Sequence, residues 1–115
     1  MNQFANTVFL LTSNGMGNAP KELCHKLLRT YLTLLLQNDE LPAAICFYTE
    51  GVRLATEGSH VLDLLKQLET KGVRLILCST CLNYFKLADE VCVGVVGGMG
   101  DIQEAHLRAD KVITL

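Results

Sequence analysis

Cys78 and Cys81 stand three residues apart in VRLILCSTCLNYF, residues 73–85, at the end of an apolar run. Three chemistries use that spacing: a reversible disulfide, half of a metal site, and a thiolate that carries sulfur. A helix starting near Thr80 would aim its free N–H groups and its dipole at Cys78, which favours the thiolate there. A thiolate attacks sulfur donors and holds persulfides. On this reading Cys78 is the nucleophile, and Cys81 is a second thiol that resolves a persulfide or closes a disulfide. The plainer alternative is that both are small buried hydrophobes.

The rest of the chain narrows the choice. A structural zinc site needs four ligands, and one C-x-x-C supplies two. Cys24, His25, Cys46, His60, Cys92 and His106 form no second close pair. No metal and no cofactor are therefore expected. A thioredoxin-type oxidoreductase would open a long helix with its C-x-x-C near the N-terminus, not follow a third strand. A C-x5-R anion loop fails in both registers, because positions 84 and 87 are Tyr84 and Leu87.

Further candidates flank the pair. Gly15 and Gly17 lie between a strand and a helix, where a phosphate could be cradled. NGMGNAPKEL matches neither G-x-x-x-x-G-K-[ST] nor G-x-G-x-x-G, so a turn needing positive φ is the simpler reading. Glu50 and Arg53 lie on a second loop, where they could meet a ligand or steady the cysteine loop. Met99 could lie over that loop or fill core. The candidate ligand contacts are Gly15, Gly17, Arg53, Ser79, Thr80 and Met99. The three histidines receive no role, and Cys24, Cys46 and Cys92 are read as core.

Short apolar runs alternate with helical periods along the chain. Residues 7–12 and 43–48 read as strands, with a helix over about 20–37 between them that opens on Pro20. Its apolar stripe is wide: Leu23, Leu27, Tyr31 and Leu34 lie beside Cys24, Leu28, Leu32 and Leu35. Such a helix is either sandwiched or a subunit contact. Residues 52–54 have extended character. Ser59 is placed as N-cap of a helix over 60–71, with Gly72 at its C′ position. Strands follow at 73–77 and 91–96, with a short helix from near Thr80 to near Leu87 between them. Asp101 and Glu104 fit a capping pattern for a last helix to about Arg108. A fifth strand spans 111–115.

This alternation predicts a mostly parallel sheet covered on both faces. Sites in such sheets gather beyond the C-terminal strand ends. SNGMGNAP, TEGVRLATEGS and CSTCLNYF all lie at that edge.

Length and composition agree. A chain of 115 residues, half of them hydrophobic, suits one domain over 1–115. A net charge of -2 without a basic block disfavours nucleic-acid binding. Five scattered cysteines are not a disulfide scaffold. The N-terminus lacks a secretory pattern, and no apolar stretch could span a bilayer. The expectation is a cytoplasmic protein without a membrane partner.

LPAAICFYTEGVRLATEGSHVLDLLKQLETKGVRLILCSTCLNYFKL resembles the C-terminal domain of the YedF-like proteins, within the DsrE/DsrF-like group of sulfur-relay proteins. The shared features are Gly51 to Leu54, Gly58 and Ser59, Leu65 to Val73, and Cys78 to Leu82. The closing VGVVGGMGDIQEAHLRADKVITL agrees in outline. The resemblance implies a three-layer α/β/α fold with a five-stranded sheet, and homo-oligomers, commonly trimers or hexamers. It implies a sulfurtransferase-like carrier with a persulfide on a cysteine after the third strand. Cys78 matches best, while in other members Cys81 corresponds better. YedF-like proteins are associated with selenium metabolism. Two departures stand out: Ser79 replaces the usual glycine, and Gly97-Gly98-Met99 replaces a common Ser-Asn-Met. The TusA-like domain of longer members is absent here; if sulfur or selenium normally arrives from that domain, this chain receives it from a separate partner or has lost the relay. A non-enzymatic, redox-responsive oligomeric module is the second expectation.

Overall fold

The computed structural model describes residues 2–115. Its strands are β1 (Thr7–Leu11), β2 (Ala44–Phe47), β3 (Arg74–Cys78), β4 (Val95–Gly97) and β5 (Lys111–Thr114). They form one sheet in the order β4-β3-β2-β1-β5, parallel at every pairing. The sheet is therefore wholly rather than mostly parallel. The helices are α1 (Lys21–Gln37), α2 (Leu62–Thr70), α3 (Ser79–Tyr84) and α4 (Met99–Arg108). All of β1 and β2 is buried, and only Arg74 of β3 is exposed. Such unbroken apolar runs belong to strands covered on both faces. α1 and α2 pack together, and α4 packs on β3 and β4. Right-handed crossovers put α1 and α2 on one face and the long return through α4 on the other. The result is the expected α/β/α sandwich.

The wide stripe of α1 splits in two. Cys24, Leu28, Leu32 and Leu35 are buried, whereas Leu23, Leu27 and Leu34 are 47%, 46% and 48% exposed. One row fills the core and the other faces outward.

Several boundaries differ from the sequence expectation, each for a local reason. Pro20 precedes α1, with extended ψ of 145°, rather than lying inside its first turn. Ser59 Oγ accepts the Val61 N–H at 3.2 Å, so it closes a turn before α2 rather than capping the helix. Gly72, with φ of 99°, ends α2 as expected. Residues 49–55 form a 3-10 helix rather than extended chain. The fourth strand is 95–97, not 91–96. Val91 instead bridges Thr56 antiparallel, and Gly94 turns at φ of 84° against Leu75 and Leu77, leaving no room for a side chain. α4 begins at Met99, because Asp101 Oδ2 accepts the Gly98 N–H at 2.8 Å from inside the first turn. Glu104 pairs with Arg108 at 3.0 Å instead of capping.

Two of the unassigned histidines join α1 to the approach of α2. The His25 and His60 rings stack with centroids 3.7 Å apart and planes 9° from parallel. Arg29 donates to the His60 carbonyl at 2.7 Å and forks onto Asp63 at 3.1 and 2.7 Å. Burial, then the charge of His25, holds the His60 imidazole below its ordinary range, against the bond its ring makes to the His25 carbonyl. Unfolded His60 binds a proton near pH 6.5, which the folded ring resists. Its contribution is therefore full above pH 6.5 and is lost as pH falls through the lowered folded value. Urea midpoints at pH 7.5 and 5.5 should differ for the natural protein, and His60→Gln should narrow that difference.

Candidate functional site

Because every strand runs the same way, the ends of β1, β2, β3 and β4 open on one edge. The turn after β2 and the start of α3 meet there. Cys78 is the last residue of β3 and immediately precedes α3. It is 2% exposed and lies beside Gly97 of β4 in the strand register. Cys81, one turn into α3, is half-buried and reaches the surface. Both are free thiols.

Cys81 Sγ accepts the backbone N–H of Thr49 at 3.1 Å. Burial holds the Cys81 thiol above its ordinary range, the Thr49 N–H pulls it down, and Cys78 pushes it up again. The resting group is thus a thiol, with one donor already aimed at its sulfur.

The 3-10 turn 49–55 positions that donor. Tyr48 N–H donates to the Leu11 carbonyl at 3.2 Å, and Thr49 Oγ1 donates to the Thr12 carbonyl at 2.5 Å. Gly51 presses against the Leu11 carbonyl so closely that a Cβ would collide with it. On its other side the turn is tied to α3, since the Arg53 guanidinium lies 4.5 Å over the Phe85 ring and is ion-paired with Glu50. Arg53 therefore braces the cysteine loop.

The remaining predicted residues are spread along the edge. Ser79 and Thr80 are the first two residues of α3, and Thr80 is exposed. Met99 is the first residue of α4 and is 53% exposed. Gly15 and Gly17 have φ of 152° and 81°, the positive-φ turn the sequence suggested. They line an open groove of about 410 Å³ with Ser13, Asn14, Lys21 and Glu50. Arg53 lines a neighbouring groove of about 230 Å³ with Lys21, His25 and His60. Neither cysteine of the pair lines either groove. Cys24 and Cys46 are buried as core, and burial pushes the Cys46 thiol up to about 11, whereas Cys92 is only half-buried. Among the described residues, no three His, Cys, Asp or Glu side chains converge as a metal site requires, and no helix is long and apolar enough to cross a membrane.

Thr49 was invisible to sequence reasoning. Nothing in TEGVRLA marks a threonine with φ of 50° or says where its N–H points. The one available signal was Gly51, as a glycine four residues beyond the end of β2.

The chain belongs to the DsrE/DsrF-like family, which matches residues 6–115. Its fold is similar to that of the YchN protein of E. coli, with a TM-score of 0.73 at 21% identity, over 96% of this chain and 99% of that one. It is also similar to MTH1491 of Methanobacterium thermoautotrophicum, described as of unknown function, with a TM-score of 0.71 at 22% identity and the same coverage. BT1422 of Bacteroides thetaiotaomicron, also of unknown function, has a TM-score of 0.68 at 16% identity, over 96% of this chain and 95% of that one. No curated protein matches.

Gly51→Ala should displace the turn from the end of β1. The expected loss is about 1–3 kcal/mol, as for overpacked interiors, read from urea unfolding.

Proposed function

We propose that the chain is a sulfur-relay protein that carries sulfane sulfur as a persulfide on Cys81. The observation that carries this is a half-buried thiol at the C-terminal edge of a parallel sheet, with a backbone N–H on its sulfur and a second thiol behind it. Family membership supports the sulfur-relay part of this reading. The roles are the reverse of the sequence expectation. Cys78, at 2% exposure, is poorly placed to meet a donor protein, and Cys81 is the accessible sulfur.

Loading proceeds as thiol exchange. The Cys81 thiolate attacks the outer sulfur of a donor persulfide, R–S–SH. A Cys81 S–S bond forms, the donor S–S bond breaks, and the donor leaves as a thiolate that takes the proton Cys81 gave up. Unloading is the reverse attack by an acceptor thiol on the outer sulfur, with Cys81 leaving. Cys78 offers a second exit: attack on Cys81 Sγ closes a disulfide and releases the outer sulfur as hydrogen sulfide. That step oxidises the Cys78 sulfur by one electron and reduces the released sulfur by one, while the Cys81 sulfur passes from persulfide to disulfide unchanged. A selenium cargo would follow the same steps. The reading requires thiols kept reduced, as in the cytoplasm, and a separate donor such as a TusA-like protein.

The outward row Leu23, Leu27 and Leu34 supports a homo-oligomer built on α1, for which the family resemblance favours a trimer or hexamer. Sedimentation should give a multiple of the 12.7 kDa chain, and Leu27→Glu should lower it. A redox-responsive module without sulfur transfer is favoured instead if that multiple changes with reductant and no sulfur is captured.

Intact mass after incubation with a persulfide donor tests the relay. An adduct of one sulfur atom should appear and be lost in Cys81→Ser. Its persistence in that variant, or its absence from the natural protein, contradicts the reading.

A further inference from the structure

We propose that Thr49 is a positioning residue for the sulfur chemistry, its backbone N–H serving as the donor that holds Cys81 Sγ whenever that sulfur carries negative charge. The inference rests on the carrier reading of Cys81 and adds the group that makes Cys81 the reacting sulfur.

The first observation is geometric. Thr49 has φ of 50°, a region that a β-branched residue rarely enters. Such strain persists only where the surroundings over-determine it, and it gathers at functional sites. Here the surroundings are named. Thr49 Oγ1 donates to the Thr12 carbonyl, Tyr48 N–H to the Leu11 carbonyl, and Gly51 N–H to the Tyr48 carbonyl at 3.0 Å. Gly51 meanwhile sits against β1.

The second observation is where the N–H goes. Thr49 is an exposed residue, so water is available to its amide. The turn instead directs the amide to a sulfur 32 residues away in sequence. An N–H bond to a sulfur favours the charged form over the neutral one. Cys81 is charged twice in the relay: as the attacking thiolate during loading and as the leaving thiolate during unloading. One fixed donor therefore serves both directions. The turn's cation, Arg53, is already engaged by Glu50 and Phe85.

The test replaces Thr49 by its α-hydroxy acid, which keeps the side chain and exchanges the N–H for an ester oxygen. Alkylation of Cys81 by iodoacetamide is followed against pH, with Cys81 identified by peptide mass. The ester protein should alkylate at least about threefold more slowly at pH 7, with its profile displaced to higher pH. An unchanged profile overturns the proposal. If the ester protein does not fold, amide hydrogen exchange at Thr49 decides. Exchange should quicken at least about fivefold in Cys81→Ala, since the acceptor is gone, and equal rates overturn the proposal. Neither measurement uses a sulfur donor. A missing persulfide adduct with a displaced profile would therefore defeat the carrier reading alone, and an adduct with an unchanged profile would defeat this one alone.

Discussion

The backbone of the turn after β2 rests directly on the last carbonyls of β1, with Gly51 admitting no side chain between them. The candidate site depends on that seat. With the turn pinned, Thr49 is held at positive φ, its N–H reaches across to α3, and Arg53 lies over Phe85 to close the far side. Overpacking at one glycine would loosen all three links, because each uses the same seven-residue turn. β1, buried along its whole length, gives the turn a rigid platform.

Rigidity explains how two cysteines three residues apart come to differ. Cys78 ends a buried strand and inherits its burial, while Cys81 follows one helical turn later and is carried outward. Carrying Cys81 out of the strand does not by itself make a good nucleophile, since burial still holds its thiol above the ordinary range. The compensating group is the Thr49 amide, supplied by a neighbouring strand's loop. The setting of the Cys81 sulfur is therefore a property of two strand ends together.

Much of this was legible in the sequence, and the rest had physical reasons for being hidden. Unbroken apolar runs announced buried parallel strands, and their alternation with helical periods placed the loops on one edge. The cysteine pair was visible by spacing. Helix-start reasoning points to Cys78 and carries no sign of its 2% exposure. The fourth strand was misplaced because VCVGVV has strand composition throughout, yet Gly94 must turn against Leu75 and Leu77. The stacked His25 and His60 are 35 residues apart in sequence and share no local pattern. Thr49 was missed because a backbone N–H has no sequence signature at all.

The central claim is that the fold presents Cys81 and shields Cys78. Competitive labelling of the native protein with a small excess of a thiol reagent, followed by peptide mapping, tests it most directly. Cys81 should be modified well before Cys78, and denaturant should abolish the difference. Equal labelling of the two under native conditions, or earlier labelling of Cys78, would contradict the account.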